Sequence, residues 1–461
     1  MTRVLLICND AVGRNMAGPG IRYWEFARAL GRYVDVTLAV PPFVPIDGLP
    51  SMEEFPARVC VCDHQRDLRL LVQDSDTVVM LGALLLRYPF LGQLDRPVVV
   101  DLYDPFLLEN LQRQAGAEPE TQLDPHEGYL RALRDQMYVG DFFVCADEKQ
   151  RDYWLGGLSV AGRVNPYTHH DDASLRRLID VVPFGLPAAP PEYTGPVLKG
   201  IHPAVAPEDK VILWGGGIWD WLDAETLIRA MPLILDRHAD VKLFFMGVSP
   251  PDGAGAGAMA AEEAVRLSQE LGLHQEYVLF NDWVPYEERQ NYLLEADVGA
   301  SLHLDHIETR FSFRTRLLDY LWAGLPFVGT AGDVLSERLS DAGLAYLVSP
   351  RDVEGVADAI LSMLSNSSLR SEAASSASRI AARYQWDAVI QPLVRFCRDP
   401  HMARDRVYLR QASSSTCSRT GPRLLLSKAW RTLLQDGLPI LIQRSSQYLR
   451  WKMDSLSRSR G

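Results

Sequence analysis

PFGLPAAPPEYTGPVLKGIHPAVAP, residues 183–207, is a proline- and glycine-rich stretch that interrupts an otherwise regular pattern. Before it, short β-rich runs at 4–9, 34–40, 77–81, 98–102, 142–146 and 179–182 alternate with helix-length segments. After it the alternation restarts, with runs at 210–214, 241–246, 277–280, 298–301, 326–329 and 344–348. Strand–helix alternation implies parallel sheets with crossover helices. Two such series around one break imply an α/β chain of two Rossmann-like, doubly wound domains. The boundaries read as 1–186 for the first domain, 187–207 for the linker and 208–385 for the second, with a closing helix at 386–398. A basic amphipathic helical tail is expected at 410–461, after the Ser/Thr-rich break that begins at Arg410. Open sheets of this type bind ligands beyond the carboxyl ends of their strands. The chemistry is therefore expected in the cleft between the two domains.

Composition agrees with that organisation. A chain of 461 residues suits two α/β domains of about 150–200 residues plus a tail. Its 47% hydrophobic and 23% charged content is that of a globular protein. MTRVLLICND reads as a first strand and not as a secretory signal, so a cytoplasmic location is expected. No run approaches the roughly 18 apolar residues of a spanning helix. Cys8, Cys60, Cys62, Cys145, Cys397 and Cys417 lack metal-ligand spacing, which argues against structural zinc and disulfides. The net charge of −12 divides unevenly: residues 404–461 carry 12 Lys/Arg against 3 Asp/Glu, leaving about −21 for the body. An acidic body argues against nucleic acid as a partner, and a basic tail suits an anionic membrane surface. Lys428, Arg431, Arg444, Arg450 and Lys452 alternate there with Leu425, Trp430, Ile442, Tyr448 and Trp451, as in an interfacial helix. A packing helix with a solvated basic end is the alternative.

Three segments carry candidate chemistry. After the first strand, a loop with Gly18 and Gly20 opens the helix IRYWEFARAL, and backbone N–H groups there can approach an anionic or sugar ligand. Plain turn chemistry is the alternative, and the G-x-G-x-x-G spacing of a dinucleotide site is absent. After the strand VILW come Gly215, Gly216 and Gly217, which let a diphosphate or the opposing domain come close. The third segment, HLDHIETRFSFRTRLLDYLWAGLPFVGTAG at 303–332, places a charged loop before an amphipathic helix read as 312–322. Arg310 and Arg314 supply positive charge beside its N-terminus, with Phe311, Ser312 and Phe313 between them, so a nucleoside diphosphate can be held without metal. Asp319 suits the two hydroxyls of a ribose. A solvated helix face with internal ion pairs is the alternative.

At this segment, and over residues 1–398 in order and spacing, the chain resembles the retaining GT-B glycosyltransferases of family 4, which include bacterial polysaccharide and lipopolysaccharide enzymes. The echo lies in Asp319-Tyr320-Leu321-Trp322-Ala323-Gly324-Leu325-Pro326, in IDVVPFGLP and in NDWVPYEERQNYLLEADVGAS. The resemblance puts the acceptor on the first domain and a nucleotide sugar on the second. It gives Asp319 the place of the second Glu of the family's Glu, seven residues, Glu motif. The first place falls on Phe311, so the acid near the donor sugar would be Glu308. The Arg and Lys that usually follow the second domain's first strand are missing from GGGIWDWLD, which leaves the diphosphate to Arg314 or Arg310. Base contacts would come from the turn containing Trp283 and Val284.

The implied activity is transfer of a sugar from a nucleoside-diphosphate sugar to a glycan or lipid-linked acceptor in cell-envelope polysaccharide biosynthesis. Retention of configuration and independence of metals and other cofactors are implied with it. Cationic groups and backbone donors would stabilise the leaving diphosphate, with Arg314, Glu308 and Asp104 the candidate catalytic residues. Asp101 and Asp104, at a strand end of the first domain, are expected to face the cleft. The competing readings are a GT-B sugar-nucleotide epimerase and a non-catalytic glycan-binding scaffold. A nicotinamide oxidoreductase lacks its fingerprint.

Overall fold

The computed structural model describes residues 1–406 and Ser446, except residues 45, 47, 50, 51, 53, 54, 82, 83, 115, 250, 252–257 and 367. Met1–Arg404 is one compact unit. Apart from Ser446, the tail expected at 410–461 lies outside the described residues.

The first sheet contains β1 (Arg3–Ile7), β2 (Asp35–Val40), β3 (Arg58–Val61), β4 (Thr77–Leu81), β5 (Val98–Asp101), β6 (Phe142–Cys145) and β7 (Ile179–Val181). Its order is β3-β2-β1-β4-β5-β6-β7. The second contains β8 (Lys210–Gly217), β9 (Val241–Gly247), β10 (Val278–Phe280), β11 (Val298–Ser301), β12 (Phe327–Thr330) and β13 (Ala345–Val348), ordered β10-β9-β8-β11-β12-β13. Leu6 faces both Leu38 and Val79, and Leu213 faces Gly299, in parallel pairs. The expected α/β fold of two doubly wound sheets is therefore present. The strand order reverses between β1 and β4, and again between β8 and β11, which makes these the two switch points where ligands gather.

Helices on both faces explain why the strands are apolar on both sides. Val4 and Leu6 enter one buried cluster while Leu5 and Ile7 enter another. Val211 and Leu213 likewise part from Ile212 and Trp214. The helix Gly18–Leu30 packs Tyr23, Trp24 and Phe26 fully into the first cluster. Its Gly20 has no room for a side chain, because a Cβ would lie 2.1 Å from the Ala11 carbonyl oxygen.

The chain returns to the first domain at its end. Leu186 bridges Gln385, with the Leu186 N–H donating to Tyr384 O at 2.7 Å and the Trp386 N–H donating to Leu186 O at 3.0 Å. Trp386 then meets Phe26 edge-on at 5.9 Å, and Phe396, on the helix Gln391–Arg398, stacks on Phe142 at 5.0 Å. One element differs from its expected extent. The helix read as 312–322 begins only at Arg316 and runs to Ala323, and a short 3-10 turn, Thr309–Phe311, and an extended Ser312 precede it. The reason is local: Arg314 turns back to donate to Glu308 Oε2 at 2.7 Å, an i−6 partner that no α-helix brings into reach.

Candidate active site

The two switch points face one cleft, which has two sections. The first, of about 130 Å3, is lined by Gly18, Gly215, Gly216, Gly217, Trp283 and Val284, with Arg289, Arg316 and Asp319 completing it. The second, of about 250 Å3, is lined by Asp10, Gly18, Asp104, Glu109, Trp219, Trp221, Ser312, Phe313, Arg314 and Arg316. Gly18, Trp219 and Arg316 belong to both and mark the junction.

The glycine turn is fixed from below. Tyr320 Oη accepts from the Gly215 N–H at 2.8 Å and lies 2.9 and 2.8 Å from the carbonyl oxygens of Leu213 and Ala300. One hydroxyl thus ties β8 to β11 where the strand order reverses. A bulge follows between Trp214 and Gly217, and Gly216 takes φ +84°, a conformation that favours glycine. A Cβ on Gly215 would come within 3.1 Å of the Tyr320 hydroxyl.

Asp319 sits in the first turn of Arg316–Ala323 and accepts from Arg289 Nε at 3.2 Å. Arg289 also donates to Tyr286 O at 2.7 Å and lies over the Tyr286 and Trp322 rings at 3.9 and 4.8 Å. Tyr286 donates from its hydroxyl to Glu25 Oε1 at 3.0 Å, joining this group to the first domain. Trp283 donates from Nε1 to Met16 O at 3.3 Å, a second contact between the domains.

The carboxylates on the first domain's side divide by environment. Asp101 does not face the cleft as expected: it is fully buried and paired in a fork with Arg22, at 2.7 and 3.0 Å. Arg22 also donates to the carbonyls of Val182 and Pro183 at 2.8 and 3.1 Å, fastening β5 to the start of the linker. Asp104 does line the cleft. Its burial, with Asp101, Asp10 and Glu308 adding like charge against Arg22, pushes its carboxyl up to about 8. Glu109 is also raised, by burial and then by Asp104 and Glu308. Asp104 therefore favours its protonated form at neutral pH, and burial moves Glu109 in the same direction.

Glu308 is 1% exposed and lines neither section. Its Oε2 is held by Arg314, with His306 Nδ1 at 3.5 Å, while its Oε1 is enclosed without a hydrogen-bond partner. Arg314 also donates to Thr309 Oγ1 at 3.3 Å. Arg310 is exposed and Phe311 half-buried, and neither lines the cleft. Phe311 packs on Tyr153 at 4.9 Å and its carbonyl accepts from Gln150 Nε2 at 2.8 Å. Gly20 is also outside the cleft, in the close packing already described. Sequence reasoning missed Arg289, Arg316, Glu109 and the stacked pair Trp219 and Trp221, whose rings lie 5.6 Å apart at 5°. Among the described residues no group of three His, Cys, Asp or Glu side chains is placed to hold a metal ion.

The family described as "Glycosyl transferases group 1" matches residues 209–366. The second domain is a glycosyltransferase group 1 domain. The D-inositol 3-phosphate glycosyltransferase of Corynebacterium urealyticum is 28% identical to the chain over 189 residues, 41% of this chain and 43% of the relative. The chain thus matches less than half the length of that relative. The glycosyltransferase fold extends further than the sequence match. Sucrose-phosphate synthase from Thermosynechococcus elongatus aligns with TM-score 0.62 at 16% identity, covering 86% of this chain and 98% of the other. Anabaena Alr3699/HepE, solved in complex with UDP-glucose, aligns with TM-score 0.56 at 14% identity over 86% of this chain and 99% of the other. The fold is GT-B, with the group 1 domain as its second half.

Proposed function

We propose that the chain transfers a sugar from a nucleoside-diphosphate sugar to a hydroxyl of a glycan or lipid-linked acceptor, with retention and without a metal ion. The observation that carries this reading is the pairing of the two cleft sections. A glycine turn and Asp319 line one, and two carboxyls raised by burial, Asp104 and Glu109, line the other. The first section suits a nucleoside, with Asp319 toward the ribose and the Trp283 and Val284 turn toward the base. The second suits the reacting sugar and the acceptor, since protonated carboxyls donate to hydroxyl oxygens and tryptophan faces stack on sugar rings. Anabaena Alr3699/HepE was solved in complex with UDP-glucose, and that supports a nucleotide-sugar donor here.

The reaction needs stabilisation of negative charge on the leaving diphosphate, which fixed cations and backbone N–H groups supply. Same-face attack leaves the acceptor's proton to the departing diphosphate, so no protein base is required. The reading extends to a cytoplasmic protein held at the inner face of the membrane by its basic tail and acting in cell-envelope polysaccharide synthesis. Among the described residues no helix is long and apolar enough to cross a membrane.

The test is calorimetry of the full chain with UDP, GDP, dTDP and their sugars, with EDTA present, beside Asp319→Ala. Selective binding of one nucleotide, weakened in the variant, is expected. A folded protein that binds none of them would return the scaffold reading. Removal of residues 423–461 is expected to release the protein from anionic liposomes, and unchanged co-sedimentation would remove the membrane from the account.

A further inference from the structure

A diphosphate needs a cation, and three arginines line the cleft: Arg289, Arg314 and Arg316. Two are already engaged with carboxylates. Arg289 is held by Asp319 and Arg314 by Glu308. Arg316 differs. Its Nη2 donates to the Gly217 carbonyl at 2.9 Å and its guanidinium lies over the Trp214 ring at 4.7 Å. It makes no ion pair among the described residues, and its Nη1 is enclosed without a hydrogen-bond partner. A half-buried cation with one enclosed nitrogen and no counter-ion is unfavourable, and a bound anion relieves it.

The position matters as much as the charge. Arg316 stands at the junction of the two sections, beside the glycine turn where Gly216 meets open space. The open space at Gly216 leaves room for a phosphate group to approach that turn. We propose that Arg316 grips the diphosphate of the donor, replacing the Arg and Lys missing after β8. The inference rests on the nucleotide-sugar reading and assigns one residue within it. A diphosphate at the junction directs the ribose toward Asp319 and the donor sugar toward Asp104 and Glu109. As the anomeric C–O bond breaks, its electron pair passes to a diphosphate oxygen, whose charge Arg316 offsets. The acceptor oxygen forms the new C–O bond and its proton goes to the leaving diphosphate. Burial lowers the guanidinium pKa to about 10, with Arg314 adding to that and Tyr320 opposing it, so Arg316 remains charged at neutral pH.

The experiment is calorimetry of the full chain with UDP, UMP and uridine, and with GDP, GMP and guanosine. The proteins are the native chain, Arg316→Met and Arg316→Lys. In Arg316→Met the diphosphate is expected to weaken on the order of 10–100-fold while the nucleoside is unchanged. Should Arg316→Met not fold, Arg316→Lys carries the test, because a compact ammonium loses the second donor and the ratio should fall about 3–10-fold. An unchanged ratio in the Arg316 variants, or an equal loss for diphosphate and nucleoside, would overturn the assignment. A native chain that binds neither series would bring down the donor reading itself, and the inference with it.

Discussion

Arg289 Nε lies 3.2 Å from Asp319 Oδ1, so the carboxylate nearest the proposed ribose position is oriented by a cation on a neighbouring segment. Arg289 is itself pinned by Tyr286, which reaches Glu25 on the opposite domain. The first prediction is that Arg289→Met weakens ribonucleoside-diphosphate binding about 10-fold, the size of one lost charged hydrogen bond. With Asp319→Ala the losses should be less than additive in calorimetry, because both changes remove one unit. Additive losses would mean that the two side chains act separately.

Tyr320→Phe removes the hydroxyl that joins Gly215, Leu213 and Ala300. Leaving buried backbone groups unpaired costs about 1–3 kcal/mol, to be read from denaturant unfolding. Nucleotide binding should weaken as well, since the glycine turn loses its support. Unaltered stability would show that water replaces the hydroxyl.

Arg22 and Asp101 are both fully buried and form a two-pronged pair. Asp101→Asn leaves a buried guanidinium without its counter-charge and should cost about 3–5 kcal/mol. An Arg22→Met, Asp101→Leu double variant should be far less damaged than either single change. The comparison is made by chemical denaturation.

The raised carboxyl of Asp104 sets a pH dependence. The folded pKa of Asp104, about 8, lies above the unfolded aspartate value of about 3.9. Between those limits the folded chain binds more protons than the unfolded one at this site. Its contribution to stability is therefore complete at low pH and falls as pH rises toward 8. Asp104→Asn should flatten the decline in unfolding free energy between pH 5 and 8, each value read from denaturant curves. An identical slope in the variant would assign the dependence elsewhere.

Gly20→Ala places a Cβ against the Ala11 carbonyl, a backbone atom that cannot swing away. A loss of about 1–3 kcal/mol is expected in unfolding experiments. Nucleotide affinity should persist in whatever folds, because Gly20 packs the helix and does not line the cleft.

The sheets were legible because buried parallel strands are written as short apolar runs bounded by turns, and most begin and end within two residues of their expected positions. β3 was not, since RVCV is short and half-exposed at a sheet edge. The site was legible less evenly. Asp319 and the three glycines follow from their places after strands and in a helix. The choice among Arg310, Arg314 and Arg316 does not, because it depends on Glu308 capturing Arg314, a residue that reads as part of the helix's first turn. Phe313, Leu317, Leu318 and Tyr320 are all buried, which imitates one continuous helical stripe over a segment whose first part is extended. Arg316, displaced from a helix interior to its first position, thereby comes to face the cleft.

The pairing of Leu186 with Gln385 has a mechanical meaning. The polypeptide passes between the domains twice, and the outgoing and returning strands run side by side at this point. Two adjacent connections resist parting of the halves more than one linker would, because separating them also breaks the Leu186–Gln385 pairing. A protease cut in the 187–207 linker would then leave a nicked but associated protein, because the second crossing and the seat of Trp386 and Phe396 on the first domain remain. The same joint holds Asp319 and Asp104 on the walls of one cleft.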